Sequence, residues 1–134
     1  MCGDAGEPAA WWDGQPFDRS PFHRILADVP CSASGVARRH PDIKWLRRES
    51  DIATFAAQQR KILEALWHLL ARGGKLLYAT CSVFAEENQQ QIEAFLSLHA
   101  DARPLPLAVA EMHEGQLLPN DHHDGFYYAL LAKD

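Results

Sequence analysis

The chain has 134 residues, of which 47% are hydrophobic, and a formal net charge of −5 at pH 7. This size and apolar content suit one compact domain with one core, and they argue against a second domain. No run of about 18 apolar residues is present and the first residues lack a signal-peptide pattern, so we expect neither membrane insertion nor secretion, and a cytoplasmic location. The three cysteines form no CxxC pair, which predicts free thiols rather than a disulfide framework or a zinc ribbon.

The first predicted element is a short buried strand. Residues 1–24 are rich in Gly, Pro, Asp and aromatic side chains without a sustained period, which is typical of a loop with one short helical turn. Residues 24–28 then form a short apolar run that ends in an acid and is soon followed by a proline. This pattern predicts a strand of a parallel sheet.

A helix and a second strand follow. From Asp51 to Leu70, apolar residues recur at spacings of three and four, which predicts an amphipathic helix. We expect Gly73 and Gly74 to end that helix. Residues 75–80 are a second apolar run of strand length, so the three elements form a crossover unit whose two strands are parallel.

The remaining elements close the fold. Residues 85–99 predict a second helix, in which Glu86 and Glu87 occupy the first turn, where the helix dipole favours acids. Residues 116–119 and 125–132 predict two closing strands, antiparallel to each other and joined by the polar loop 120–124. The predicted fold class is therefore α/β, with parallel strands and a closing antiparallel pair.

Two cysteines lie just after the two predicted parallel strands. Asp28 and Cys31 follow the first strand, and Cys81 follows the second. Ligands of open α/β folds bind at the carboxyl ends of the strands, so neighbouring strands would bring these side chains to one edge. A lone cysteine near a strand end is more often a small buried hydrophobic residue, but two, each followed by Ser, favour a reactive pair.

A chemical reaction that uses such a pair is methyl transfer to carbon 5 of cytosine. That carbon becomes nucleophilic only after a thiolate adds to carbon 6 of the ring. A base must later remove the proton on carbon 5 so that the thiolate can leave. A second residue close to the nucleophile can assist in this step.

The motifs resemble those of a known enzyme family. Residues 28–36 read DVPCSASGV, which is similar to the DAPCSxxG motif of the Sun family of S-adenosylmethionine-dependent RNA cytosine-C5 methyltransferases. Residues 78–82 read YATCS and are followed by EEN at 86–88, which resembles the family's other signature. Residues 38–48 resemble the bacterial members that modify small-subunit ribosomal RNA. The resemblance implies the C-terminal half of a Rossmann-like methyltransferase fold, with S-adenosylmethionine as cofactor.

The resemblance also implies roles for individual residues. Cys81 would be the nucleophile, and Cys31 would assist release of the methylated RNA. Asp28 would lie between the cofactor and the base, and Pro30 would shape the turn that aims Cys31. Residues 3–5 match a Gly-Asp-Ala segment of the family whose acid approaches the cofactor's adenine, which makes Asp4 a candidate for that contact.

A basic segment lies between the two cysteine motifs and is the expected contact with ribosomal RNA. Its five cations, interleaved with Trp45, would contact phosphate. They are Arg38, Arg39, Lys44, Arg47 and Arg48. Alternatives are a solvated surface, or a non-catalytic RNA-binding chain that stacks bases on Trp45. A thiol hydrolase is disfavoured because no motif ties a histidine to Cys81.

The chain departs from the family pattern at its N-terminal side. The glycine-rich loop that cradles the methionine end of the cofactor and the acid that binds the ribose are missing before Met1, as is an N-terminal RNA-binding domain. We therefore expect residues 1–134 to be a partial catalytic domain with an incomplete cofactor site and weak or no S-adenosylmethionine binding. The first strand would expose an unpaired edge, which favours self-association. His122 and His123 lack a third ligand at diagnostic spacing, so no metal site is predicted.

Overall fold

The computed structural model describes residues 3–12 and 22–134 and shows a five-stranded mixed sheet with helices packed on it. The predicted loop over residues 13–21 and the thiol of Cys2 lie outside the described residues. In chain order the elements are β1 (Phe22–Asp28), α1 (Ile43–Leu46), α2 (Glu49–Leu69), β2 (Leu70–Thr80), α3 (Gln89–Leu98), β3 (Ala102–Leu105), β4 (Gln116–Leu117) and β5 (Phe126–Lys133). Short 3-10 turns lie at Pro8–Ala10, Ser34–Val36 and Ala85–Glu87.

The sheet confirms the predicted fold class. Its strand order is β1-β2-β5-β3, and β4 pairs with β5. β1 and β2 are parallel, with Asp28 opposite Ala79, whereas β5 runs antiparallel to β2, β3 and β4. The carboxyl ends of β1 and β2 therefore meet at one edge, which is where both cysteine motifs begin.

The predicted role of the glycine pair is wrong. α2 ends at Leu69 and the chain passes at once into β2, so Gly73 and Gly74 lie inside the strand. Phe22 pairs with Leu70 and Arg24 pairs with Lys75, so β2 has more residues than β1 between these two pairs. This difference marks a bulge in β2. Gly73 takes a φ of +75° there, a left-handed conformation that a glycine adopts without strain.

Two other elements differ from their predicted form. The helix expected over residues 85–99 is divided into the 3-10 turn Ala85–Glu87 and α3, because the backbone at Asn88 leaves the helical region. β3 lies in the Pro-rich stretch after Asp101, for which no element was predicted. Proline is tolerated in β3 because β3 is an edge strand, paired only with β5 among the described residues.

The core lies between the sheet and the helices α2 and α3. Trp67 of α2 is 1% exposed and packs edge-on against Phe95 of α3, with 5.2 Å between ring centroids. The strands contribute side chains that are fully buried beneath the helices. They include Leu76, Tyr78 and Leu131. This core fixes β2 at the centre of the fold and thereby fixes the position of Cys81 at its end.

The outer side of β1 is exposed. Among the described residues β1 pairs only with β2, and Leu26 is 68% exposed. The predicted open edge is thus present within residues 3–12 and 22–134. In the same residues, no helix combines the length and apolar character needed to cross a membrane, and no group of three or more His, Cys, Asp and Glu side chains is placed to hold a metal ion.

Candidate active site

The two cysteine thiols meet at the carboxyl ends of β1 and β2. The Sγ atoms of Cys31 and Cys81 are 3.3 Å apart, within hydrogen-bonding distance for sulfur. Cys31 is buried, whereas Cys81 is half-buried and is the more accessible of the two. The predicted convergence of the cysteines is therefore observed, and its cause is the parallel pairing of the two strands.

Backbone contacts bring the loops after β1 and β2 close together. The amide of Gly35 donates a hydrogen bond of 2.9 Å to the carbonyl of Cys81, and the amide of Gly125 donates one of 2.9 Å to the carbonyl of Gly35. A Cβ atom at Gly35 would lie 2.1 Å from the carbonyl oxygen of Gly125. Only glycine fits between these backbones, which explains the glycine at position 35 of the first cysteine motif.

The thiol contact gives the two cysteines different acidities. A hydrogen bond from Cys31 lowers the pKa of Cys81 to about 7, although burial opposes this shift. The same hydrogen bond, together with burial, raises the pKa of Cys31 well above its usual range. At pH 7 about half of Cys81 is therefore thiolate, whereas Cys31 remains a thiol. This is the division that a nucleophile and its partner require.

A buried glutamate connects the two loops. The carboxylate of Glu87 accepts hydrogen bonds from the amide and hydroxyl of Ser32 at 2.8 and 2.6 Å, and from the hydroxyl of Ser82 at 2.5 Å. Gln59 of α2 donates to it at 3.2 Å. Ser32 and Ser82 each directly follow a cysteine, so one side chain contacts both cysteine loops.

A second polar group supports the loop of Cys81. The hydroxyl of Thr80 donates a 2.6 Å hydrogen bond to Asn88, whose amide nitrogen donates to the carbonyl of Ser82 at 2.9 Å. The amide nitrogen of Asn88 also donates to the side-chain oxygen of Gln116 on β4 at 2.8 Å. The closing strands thus brace the cysteine loop through side chains.

The predicted cofactor contacts line one cleft beside β1. Asp4, Asp28 and Pro30 all border a cavity of about 570 Å³. Its walls also include Leu26 of β1 and Ile62 of α2. Both carboxylates are exposed, and Asp28 accepts no hydrogen bond from the described residues. The arrangement offers acidic groups above an apolar wall, which suits a ligand with a positive charge and a flat ring.

The five predicted RNA contacts fall into two groups. Arg38 and Arg39 both pair with the buried carboxylate of Asp124, at 3.2 and 2.5 Å, so they anchor the loop before β5. Arg47 donates from Nε to the carbonyl of Ser32 at 2.8 Å and so supports the loop of Cys31. The remaining two, Lys44 and Arg48, are exposed like the other three and are close in sequence to Trp45, which is 87% exposed.

Comparison with known proteins agrees with this geometry. The family model described as 16S rRNA methyltransferase RsmB/F matches residues 1–132. The chain belongs to that family. It is an RNA cytosine-C5 methyltransferase family that depends on S-adenosylmethionine.

Relatives within the RsmB/F family are similar over nearly the whole chain. Ribosomal RNA small subunit methyltransferase B of Vibrio cholerae is 53% identical over 134 residues, which are 99% of this chain and 30% of the relative. The protein of the same name from Pasteurella multocida is 54% identical over 137 residues, covering 99% of this chain and 31% of the relative. The chain thus spans about 30% of the length of the curated relatives it matches.

A solved structure shares the fold. The crystal structure of NSun6 from Pyrococcus horikoshii with SFG matches with a TM-score of 0.79 and 26% identity, over 99% of this chain and 34% of that one. The predicted methyltransferase fold is therefore confirmed for the RsmB/F chain.

Sequence reasoning missed the structural importance of Glu87 and Asn88. Both were noticed as part of the second signature, but Glu87 was interpreted as an acid that favours a helix N-terminus. In the structure it is 0% exposed and faces the cysteine loops. The available signal was its position five residues after Ser82, in the short turn that follows the end of β2.

Proposed function

We propose that the chain supplies the catalytic cysteines for methylation of carbon 5 of cytosine in 16S ribosomal RNA. The observation that carries the proposal is the 3.3 Å contact between a buried thiol and a more accessible one at adjacent strand ends. Membership of the RsmB/F family supports the substrate class. A ribosomal RNA substrate implies action in the cytoplasm, and the target base must leave its stack to reach Cys81.

The chemistry assigns a separate task to each cysteine. The Cys81 thiolate adds to carbon 6 of the cytosine, and the electron pair that this addition displaces makes carbon 5 nucleophilic. After methylation a base takes up the proton on carbon 5, and the electron pair of that C–H bond re-forms the ring double bond as the bond from sulfur to carbon 6 breaks. Cys31 contacts the Cys81 sulfur and can donate a hydrogen bond to the departing thiolate, which assists release of the RNA.

The cleft beside β1 fits one side of an S-adenosylmethionine site. The exposed carboxylates of Asp4 and Asp28 complement a sulfonium and polar adenine edges, and Pro30 and Leu26 provide apolar surface. When bound, S-adenosylmethionine supplies the methyl group. Because the chain spans about 30% of the length of the relatives it matches, we propose that residues 1–134 are a partial catalytic domain whose affinity for this molecule is weak.

Covalent trapping on RNA tests the proposal. The chain is incubated with S-adenosylmethionine and an RNA that carries 5-fluorocytosine, which has no proton on carbon 5, so release is blocked. We expect a denaturation-resistant adduct with the unaltered chain and none with Cys81→Ala. With ordinary cytosine RNA, Cys31→Ala accumulates the adduct because release is slowed. Absence of any adduct on either RNA would contradict a catalytic role.

The second candidate function is RNA binding without catalysis. It is favoured by the exposed Trp45 beside the cations Lys44 and Arg48, which resembles a stacking surface for unpaired bases. RNA affinity that falls steeply with salt while no adduct forms would support this function over methylation. In the catalytic proposal the same surface positions the RNA, and Arg38, Arg39 and Arg47, which are also exposed, contribute positive charge to the same segment.

We also propose that the 134-residue chain self-associates through the outer edge of β1. The edge of β1 that has no partner among the described residues and the 68% exposed Leu26 support this proposal, because such edges pair with other strands. Sedimentation at several concentrations should show an average mass that rises with concentration, and Leu26→Lys should reduce the rise. A monomer at every concentration would overturn it.

A further inference from the structure

We propose that Glu87 is a positioning residue that joins the loops of Cys31 and Cys81 and so holds their sulfur atoms in contact. The proposal deepens the proposed function, since it concerns the same cysteine pair, but its geometry stands independently of the RNA. Glu87 touches neither thiol directly. It acts through Ser32 and Ser82.

The first step of the argument is that the Glu87 carboxylate contacts three separate elements. Oε2 accepts from the hydroxyls of Ser32 and Ser82, and Oε1 accepts from the amide of Ser32 and from Gln59. The same amide nitrogen of Gln59 also donates to the carbonyl of Pro30 at 2.9 Å. The loop after β1, the loop after β2 and helix α2 therefore share one acceptor group.

The hydroxyl contacts around the carboxylate have a consistent direction. With Ser82 donating to Glu87, the hydroxyl of Ser34 can donate to that of Ser82 at 3.2 Å. The hydroxyl of Ser32, which also donates to Glu87, lies 3.2 Å from that of Ser34 and is the donor toward it. Ser34 then accepts a 3.0 Å hydrogen bond from the amide of Val83. The network crosses between the two cysteine loops several times, and its only acidic member is Glu87.

Burying the Glu87 carboxylate costs free energy, because the group loses its contact with water. Glu87 is 0% exposed, and none of the described Lys, Arg or His side chains forms an ion pair with it. A buried acid without an ionic partner must offset its desolvation through hydrogen bonds alone. An apolar side chain would avoid that cost, but it could not hold donors from two loops at once.

Removing the charge of Glu87 distinguishes a positioning role from a purely electrostatic one, because the two roles predict opposite shifts in the pKa of Cys81. The negative charge of Glu87 itself raises the pKa of Cys81, whereas the hydrogen bond from Cys31 lowers it and is the larger effect. If Glu87 acted only through its charge, neutralising it would lower that pKa further. If Glu87 maintains the sulfur contact, neutralising it weakens the hydrogen bond and raises the pKa.

The experiment measures the rate of Cys81 alkylation by iodoacetamide as a function of pH, with mass spectrometry of the labelled peptide. Glu87→Gln is compared with Glu86→Gln, an exposed neighbour in the same 3-10 turn. Glutamine is similar in shape but presents an N–H group toward donors that need an acceptor. We expect the midpoint to rise from about 7 toward about 8.5, the value of an ordinary thiol. The rate at pH 7 then falls about tenfold, and Glu86→Gln leaves the profile unchanged.

A downward shift or an unchanged midpoint in folded Glu87→Gln overturns the proposal. Ser82→Ala gives a second test if Glu87→Gln does not fold, because it removes one donor and leaves the carboxylate in place. Positioning predicts a smaller upward shift for Ser82→Ala, and no shift would contradict it. Neither measurement needs RNA or S-adenosylmethionine, so a failure here leaves the adduct experiment to decide the proposed function separately.

Discussion

The edge that carries the cysteines and the cleft beside β1 are built differently. At the cysteine edge, polar groups of both loops find partners within the chain, and Glu87 and Asn88 are almost fully buried. At the cleft, Asp4, Asp28 and Leu26 are all exposed. The chain therefore encloses the thiol pair between hydrogen-bonded loops, whereas the cleft that we propose for the methyl donor is lined by exposed side chains.

The difference follows from strand pairing. β2 has a partner on each side, so the loop at its end is braced by the loop after β1 and by β4 and β5. β1 has one partner among the described residues, so side chains on its outer side contact fewer neighbours. We therefore expect this chain to keep the contact between Cys31 and Cys81 that lowers the pKa of Cys81, and to bind S-adenosylmethionine weakly.

The largest expected effect is on stability at the closed edge. Gly35→Ala should lower the free energy of unfolding by about 3 kcal/mol or more, because its Cβ would meet the carbonyl of Gly125 at 2.1 Å and backbone cannot easily move. Gly73→Ala, at the bulge of β2, meets no atom within 4 Å and should cost only about 1 kcal/mol for its left-handed φ. Urea denaturation measures both; equal losses would contradict the claim that the cysteine edge is the tightly packed one.

The next effect is the pH dependence of thiol reactivity. Because its pKa is lowered to about 7, Cys81 gains thiolate as pH rises through 7 and should be half-reactive there. Cys31, whose pKa is raised, should remain unmodified at pH 8. Cys31→Ala removes the hydrogen bond and should move the Cys81 midpoint upward toward about 8.5. Equal alkylation of the two cysteines at pH 7 would show that their contact does not give them different pKa values.

A smaller effect is expected at the open cleft. Asp28→Ala should weaken S-adenosylmethionine binding about tenfold, since a carboxylate in contact with a cationic ligand contributes on the order of 1.4 kcal/mol. Asp4→Ala should weaken it less, and the exposed Asp42→Ala, outside the cleft, should leave it unchanged. Isothermal titration of the chain and the three variants measures this. An unchanged affinity of Asp28→Ala for S-adenosylmethionine would contradict the proposal that the cleft is the cofactor site.

The smallest effect concerns the basic segment. Lys44→Ala and Arg48→Ala should each reduce the slope of log affinity for RNA against log salt by about 1, as for a lost phosphate contact. Arg39→Ala should instead lower the unfolding free energy, because its main partner is the buried Asp124. Filter binding at several salt concentrations and urea denaturation separate these outcomes. If the salt slope changed only in Arg39→Ala, Arg39 would be the RNA contact, and Lys44 and Arg48 would not.

Local patterns along the chain determined much of this protein. The apolar runs predicted β1, β2 and β5, the three-and-four spacing predicted α2, and the order strand-helix-strand predicted parallel pairing. From that pairing alone, Cys31 and Cys81 were expected at one edge, which the structure confirms. These features depend on residues close in sequence and on general rules of chain geometry.

Only the tertiary structure decided the remaining features, because their partners are far apart in the chain. Ser32 and Glu87 are separated by 55 positions, and Arg38 and Asp124 by 86, so no local period relates them. The bulge at Gly73 depends on its register with β1, and β3 forms because β5 offers it a free edge. Sequence periodicity records which faces are buried, whereas the pairing of particular polar groups within the core is settled by packing.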